Sequence, residues 1–337
     1  MKAVGYRRSL PVTDEASLVA VELPTPELRP HDLLVRVEAV SVNPVDVKVR
    51  MRAQPPEGQV TVLGFDAAGV VEAVGPAVTR FKKGDAVFYA GSIDRQGSNA
   101  ELQAVDERIV GPKPQSLSFA DAVALPLTSL TAWELLFDRL RVPYGQKTAG
   151  GEILIINGAG GVGSILTQMA RRLTGLTVIA TASRPETQAW CREMGAHHVI
   201  NHHEPLSEGL KAIGIPQVRY VAGLTATEQH QKAIAEVVAP QGAFGLIDDP
   251  KVLDVVPFKR KSVSVHWELM FTRPLFGTAD IAEQHRILSE VAALVDSGAL
   301  RTTVRENFGA ITAANLRRAH GVVERGGSIG KGVLSGF

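Results

Sequence analysis

The stretch Gly151-Glu152-Ile153-Leu154-Ile155-Ile156-Asn157-Gly158-Ala159-Gly160-Gly161-Val162-Gly163-Ser164 decides how this chain is read. The unbroken apolar run at 153–156 is the pattern of a strand buried on both faces of a parallel sheet. It leads straight into Gly158, Gly160 and Gly163, which fit G-x-G-x-x-G. The first glycine permits a tight turn, the second lets backbone approach a pyrophosphate with no Cβ between, and the third lets helix and strand pack closely. Behind them Ile165, Leu166, Met169, Ala170 and Leu173 recur at helical spacing. A helix starting there aims its amides and positive dipole end at a phosphate. G-x-G-x-x-G alone is weak; a strand before it and a helix after it make it a dinucleotide-binding turn.

Working outward, apolar runs recur at 177–180, 198–200, 220–222, 243–247 and 262–266, with helix-compatible segments between most of them. With 153–156 they predict an α/β, doubly wound sheet whose ligand lies across the carboxyl ends of the strands. Upstream, 33–40, 67–74 and 85–89 are short strand-like runs separated by Pro and Gly, the spacing of a small barrel or sandwich. The pattern turns helical from Ser118 to Phe137, with a break at Leu125-Pro126-Leu127. After Trp267 come a helical segment at 281–296 and short strands at Val304 and 332–334. We therefore expect one domain from residues 1–125 and 272–337 and a second from 126–271.

Composition narrows the partners. With 337 residues and 45% hydrophobic content the chain fills sizeable cores. Lys and Arg number 36 against 35 Asp and Glu, so no charge excess points to nucleic acid or to an anionic membrane. A small-molecule substrate is the expectation. Cys191 is the only cysteine, which excludes an intramolecular disulfide and any multi-cysteine metal site and fits a reducing, cytoplasmic setting. No targeting segment is read at Met1-Lys2-Ala3-Val4, and no run approaches the ~18 apolar residues that span a bilayer.

Cofactor choice is read where the second strand ends. Folds that prefer NAD place a carboxylate about 20 residues beyond the glycines, on the ribose hydroxyls. Here Thr181-Ala182-Ser183-Arg184-Pro185 offers a hydroxyl and a guanidinium, which suit a 2′-phosphate, so the reading is NADP(H). The plainer alternative has Ser183 capping the next helix and Arg184 solvated. His197, His198, His202 and His203 alternate in direction along a strand and its exit, so they do not converge on one ion; His202 is placed near the adenine side. Lys259-Arg260-Lys261 reads as solvated charge, and Trp133, Trp190 and Trp267 as packing residues.

Several segments together carry a family resemblance. They are Ser41-Val42-Asn43-Pro44-Val45-Asp46, Leu63-Gly64-Phe65-Asp66-Ala67-Ala68-Gly69, Leu125-Pro126-Leu127-Thr128-Ser129-Leu130-Thr131-Ala132, the glycine turn, Phe271-Thr272-Arg273-Pro274 and Ile329-Gly330-Lys331. The chain resembles the zinc-free quinone oxidoreductase branch of the medium-chain dehydrogenase/reductase superfamily, and within it the zinc-type alcohol dehydrogenase-like group. The resemblance implies a GroES-like β-barrel catalytic domain built from both chain ends and a Rossmann domain between them. It places Asn43 and Asp46 beside nicotinamide and substrate, Thr131 at the nicotinamide, and Gly160, Gly161 and Val162 at the pyrophosphate. Ser183 and Arg184 take the 2′-phosphate, Phe271, Thr272 and Arg273 close over the nicotinamide, and Ile247 and Lys331 also count among the cofactor-binding residues. It further implies a homodimer paired through 262–266, an apolar edge of the kind that needs a partner.

The departures bear on chemistry. Asn43 stands where the superfamily's alcohol dehydrogenases need a zinc-ligating Cys, Phe65-Asp66 where they have His-Glu, and the structural zinc's four cysteines are absent. Tetrahedral zinc takes thiolate, imidazole or carboxylate, so no zinc is expected. A tyrosine found near the substrate in some quinone reductases has no counterpart in Val47-Lys48-Val49-Arg50-Met51-Arg52. The function expected is NADPH-dependent hydride transfer to a quinone or an α,β-unsaturated carbonyl, with the developing enolate held by the Asn43 amide and cofactor ribose hydroxyls. Asp46 either donates the proton, if burial raises its pKa, or orients its neighbours. The rival readings are a zinc-dependent alcohol dehydrogenase and an NADPH-binding sensor or structural protein with negligible catalysis.

Overall fold

The computed structural model of the protein describes residues 1–148 and 150–337. The chain forms two compact units, a terminal unit of Met1–Leu130 with Phe271–Phe337 and a central unit of Thr131–Met270. The first division falls five residues beyond the expected 125/126, inside the helix Pro126–Trp133. Its cause is local: the Leu127 N–H donates to Asp66 Oδ1 at 2.8 Å and ties the first helical turn to the terminal unit. The second division falls one residue before the expected 271/272.

The central unit is a six-stranded sheet in the spatial order His198–Ile200, Thr177–Thr181, Glu152–Ile156, Val218–Gly223, Val238–Leu246, Ser264–Trp267. Every neighbouring pair is parallel. The glycine-turn strand lies where the order reverses, the switch point at which such sheets bind ligands. Leu154, Ile156, Ile179, Val221, Phe244 and Leu246 meet in one buried cluster, as the apolar runs required.

Three expectations change here. Ser262 adopts φ 51° in the left-handed region at the end of the 3₁₀ turn Val256–Lys261, so the edge strand starts at Ser264. Lys261 is not solvated charge: its Nζ donates to Ala235 O at 3.1 Å, Glu236 O at 2.6 Å and Val238 O at 2.8 Å, closing the carboxyl end of the helix Thr227–Val237. Trp133 and Trp190 are buried, but Trp267, on the edge strand, is 52% exposed and packs into no core.

In the terminal unit the ten-residue strand Asp32–Ser41 is the hub. It pairs antiparallel with Ala67–Val74, Leu102–Asp106 and the last strand, Lys331–Ser335. The last pairing puts Val333 opposite Ser41 and lets the Val42 N–H reach Gly332 O at 3.3 Å. The chain's end is thereby brought against the start of the helix Pro44–Arg52, the helix that Asn43 precedes. A second antiparallel sheet joins Val19–Glu22, Lys2–Tyr6 and Thr61–Val62.

Candidate functional site

The structure distributes the expected site residues over the two units. In the central unit the turn after Glu152–Ile156 has its left-handed residue at Asn157, φ 65°, and not at Gly158. Gly158 is glycine for another reason: a Cβ there would lie 2.6 Å from Ala180 Cβ and 3.1 Å from Cys191 Sγ. At Gly163 a Cβ would strike the turn's own backbone, 2.7 Å from Gly158 C, so the helix Gly161–Leu173 packs tightly there. At Gly160 it would meet only the Asn157 amide, at 3.0 Å. That glycine is the helix N-cap and no side chain caps the helix, leaving amides and the positive dipole end for an anion. These residues fit a dinucleotide pyrophosphate.

A network absent from the sequence reading supports the turn. The Asn157 N–H donates to Thr181 Oγ1 at 3.0 Å. Thr181 Oγ1 also hydrogen-bonds His202 Nδ1 at 3.1 Å. Burial, then His203 and His230, hold the His202 pKa down and the ring neutral. Among the described residues no group of three or more His, Cys, Asp or Glu is placed to hold a metal ion. Ser183 does not cap the next helix: the N-cap of Pro185–Glu193 is Arg184, whose N–H donates to Thr187 Oγ1 at 3.2 Å. Arg184 pairs with Glu186 at 2.6 Å, both about half exposed. Such a surface pair is worth at most about 1 kcal/mol, so it yields readily to a phosphate. Ile247 follows the strand Val238–Leu246, its N–H on Gly223 O at 3.2 Å. Thr131 is buried on the helix Pro126–Trp133.

In the terminal unit, Asn43, Asp46, Asp66 and Lys331 form one buried cluster. Lys331 Nζ donates to Asn43 Oδ1 at 2.5 Å and Val42 O at 2.9 Å and lies 3.3 Å from Asp66 Oδ2. Asn43 Nδ2 donates to Asp66 Oδ2 at 2.7 Å, and Asp66 Oδ1 accepts from the Leu127 N–H. Three donors on Lys331 meet three acceptors, and each Asp66 oxygen accepts a donor. Burial pushes Asp66 up and Lys331 down, each against the pull of the other; the hydrogen-bond set is that of the ion pair.

The expected roles of these residues shift accordingly. The Asn43 amide has its oxygen on Lys331 and its nitrogen on Asp66, so it is occupied within the protein. The Lys331 donors are spent in the same way. Asp46 Oδ2 accepts from the Asn43 N–H at 2.8 Å and Oδ1 from the Gly64 N–H at 2.9 Å. Burial pushes Asp46 up to about 7 against those two bonds and the Lys331 charge, with Asp66 adding to the rise. Gly64 can approach because it is glycine: its φ is +113° and a Cβ would lie 2.9 Å from the Asn99 N. Zinc does not fit this donor set. An amide and one carboxylate already saturated by an ammonium are poor company for a second cation.

Phe271 is buried edge-on to Phe65 with ring centroids 5.4 Å apart, Thr272 opens the short helix Thr272–Phe276, and Arg273 Nε donates to Asp280 Oδ2 at 3.0 Å. The helix that follows Asn43 is moored at its far end by Arg50, wholly buried, which bonds Leu10 O, Glu324 and His320. Burial and then Arg50 push His320 down to about 3.

Comparison with known proteins gives the class. Residues 29–130 match the alcohol dehydrogenase GroES-like domain family and residues 194–334 the zinc-binding dehydrogenase family. Fold and site together define an oxidoreductase that works with a nicotinamide cofactor. A zinc-type alcohol dehydrogenase-like protein of Staphylococcus aureus is 42% identical over 99% of this chain and 100% of its own length. A crystal structure from Rhizobium etli CFN 42, provisionally assigned as a zinc-dependent alcohol dehydrogenase, shares 57% identity with a TM-score of 0.96, covering 100% of this chain and 98% of that one. An NADPH-dependent alkenal/one oxidoreductase of Arabidopsis thaliana is 37% identical over 55% of this chain and 48% of its own. The chain belongs to the medium-chain dehydrogenase/reductase superfamily, in the zinc-type alcohol dehydrogenase-like group.

Proposed function

We propose that the protein is a metal-free, NADPH-dependent reductase of α,β-unsaturated carbonyls or quinones. The observation that carries this is the Lys331 ammonium bonded to Asn43 and Asp66, in the place where the superfamily's alcohol dehydrogenases bind zinc. An alcohol or a simple ketone concentrates charge on one oxygen, which calls for a Lewis acid or a proton donor at that atom, and the ammonium here is already spent on protein acceptors. An enone or quinone delocalises the incoming charge onto oxygen and needs only hydrogen-bond donors. The Arabidopsis relative's name, an NADPH-dependent alkenal/one oxidoreductase, agrees with that acceptor class.

Gly160, Gly161 and Val162 hold the pyrophosphate, Ser183 and Arg184 the 2′-phosphate, His202 lies toward the adenine side, and Ile247 and Thr131 line the path toward the nicotinamide. When bound, the reduced nicotinamide supplies the hydride. Asp46 acts by orienting, since both its oxygens hold backbone N–H groups, and it fixes the Asn43 and Gly64 backbones. With the Asn43 amide occupied, the developing enolate takes its hydrogen bonds from other groups, and its proton from solvent. The edge strand Ser264–Trp267 pairs two copies into a homodimer; sedimentation showing a monomer contradicts that part.

The test is NADPH oxidation followed at 340 nm against 1,4-quinones, linear enals and enones, beside NADP⁺ reduction by simple alcohols. Turnover of the unsaturated acceptors alone is expected. Turnover of alcohols alone, or of nothing, refutes the proposal.

A further inference from the structure

Three histidines stand together in the central unit, and only one of them belongs to the network around the glycine turn. His202 follows the strand His198–Ile200, and His203 is beside it in the same exit turn, their ring centroids 4.8 Å apart. His230 comes from elsewhere in the sheet, in the first turn of the helix Thr227–Val237 that follows the strand Val218–Gly223. Its ring centroid lies 6.2 Å from that of His202. The helix Leu206–Ala212, which leaves the His202 turn, packs against Thr227–Val237 and keeps the rings together. His202 and His230 are half-buried and His203 is exposed.

Position gives the cluster its meaning. His202 Nδ1 bonds Thr181 Oγ1 at 3.1 Å, and Thr181 ends the strand that leads, two residues on, into Ser183 and Arg184. The Asn157 N–H on the same threonine oxygen ties the cluster to the glycine turn. The rings are thus gathered at the carboxyl ends of strands on both sides of Glu152–Ile156, where a doubly wound sheet takes its nucleotide. Among the described residues the side chains of His203 and His230 hydrogen-bond to nothing, and Nδ1 is the one His202 nitrogen engaged. A protonated imidazole offers two N–H donors and a positive charge, and a phosphate monoester near neutral pH brings close to two negative charges and several acceptor oxygens.

The surrounding charges are few. Asp248 faces His230 while its oxygens hold the Thr227 N–H and hydroxyl at 2.9 and 2.6 Å. Glu204 bonds Asn201, Glu228 takes the Lys251 N–H, and Arg184 with Glu186 stands at the head of the helix beyond Ser183. Burial, then His203 and His230, hold His202 below the ordinary histidine range; burial, then His203, do the same to His230 against the pull of Asp248.

We propose that His202, His203 and His230 form an anion subsite that completes the 2′-phosphate pocket begun by Ser183 and Arg184, takes up a proton from solvent as the phosphate binds, and so sets a preference for NADP(H) over NAD(H). The proposal rests on the NADP(H) reading above. Its sign follows from linkage. The half-buried rings are uncharged in the free protein at neutral pH and the bound dianion raises their pKa, so NADPH binding strengthens as pH falls and weakens as pH climbs. NADH lacks that phosphate and brings no such change.

Fluorescence titration of the full-length protein with NADPH and with NADH between about pH 6.5 and pH 8.5, with melting recorded in parallel, tests this. Calorimetry at about pH 7.5 in two buffers of different ionisation enthalpy counts the protons. One proton taken up changes Kd by at most about tenfold per pH unit, so the wild-type NADPH Kd should weaken about three- to tenfold over the range while that of NADH stays level. Proton uptake should accompany NADPH and not NADH. H230Q and H203Q, folded as the wild type, should each weaken NADPH about three- to tenfold, flatten its pH profile and leave NADH unchanged. Equal losses for both cofactors, the result of rings that merely stack on adenine, overturn the subsite, as does a level wild-type NADPH profile without proton uptake. A preference for NADPH that R184A abolishes and both histidine variants preserve overturns the subsite and leaves the cofactor reading standing. Equal affinity for NADPH and NADH at every pH overturns the cofactor reading and the subsite with it.

Discussion

Removing the Lys331 ammonium tests most sharply how the buried Asn43, Asp66 and Lys331 cluster is held together. In K331M the methionine fills the stem's volume but leaves Asp66 wholly buried, with only Asn43 Nδ2 and the Leu127 N–H as partners. It also strips the donor from Asn43 Oδ1 and Val42 O. Breaking a buried pair on one side costs about 3–5 kcal/mol, because the remaining charge is uncompensated. At roughly 2–4 °C per kcal/mol for a unit of this size, the terminal unit should melt about 6–20 °C lower. Without the cation Asp66 titrates still further above the ordinary carboxylate range, so the native state holds a proton that the unfolded chain releases. Stability is then lost as pH rises, and the K331M deficit should shrink from pH 8 to pH 5. The double variant K331M/D66N has no stranded charge and should recover most of the loss, a coupling of about 2 kcal/mol or more. Calorimetry of the four proteins at both pH values measures this. A K331M that melts within a few degrees of wild type, or strict additivity in the double variant, refutes the reasoning.

The glycines should separate binding from folding. G160A meets only a flexible amide and should keep its melting temperature while NADPH binding weakens, whereas G163A collides with the turn backbone and should lose both, by about 1–3 kcal/mol or more in stability; melting and titration together check it. R184A should weaken NADPH by roughly 1.5–3 kcal/mol, the worth of a charge-assisted hydrogen bond, and leave NADH unchanged; equal losses for both cofactors refute the 2′-phosphate assignment. His320, buried and held down to about 3, stays uncharged in the native state while the unfolded chain protonates it near its ordinary value. Stability is therefore lost as pH falls from about 6.5 toward 3, and H320Q should flatten that limb of a chemical-denaturation series.

The glycine turn was legible because its determinants are local: a strand, three glycines and the start of a helix lie within fourteen consecutive residues. The same locality let six apolar runs announce the parallel sheet. What stayed hidden depends on contacts distant in sequence. Lys331 meets Asn43 across 288 residues, and only the antiparallel pairing of Lys331–Ser335 with Asp32–Ser41 brings them together. Asn43 was read as a donor to substrate because its partners could not be seen; the structure shows its amide engaged at both ends. The turn's left-handed residue was missed at Asn157 because glycine is the default for positive φ, and the short polar side chain of Asn tolerates it too. Trp267 was misread through its size: large apolar residues are usually inside, but edge strands are where they are left out.

The central claim is reduction without a metal, and it meets its most direct test in metal analysis joined to activity. Protein purified without added metal, assayed for zinc by mass spectrometry and for NADPH-dependent enone reduction before and after exhaustive chelation, should carry far less than one zinc per chain. Its rate should be unchanged by the chelator. One zinc per chain, with activity lost on its removal and regained on its return, would contradict the assignment of Lys331, Asn43 and Asp66 as a closed, metal-free cluster.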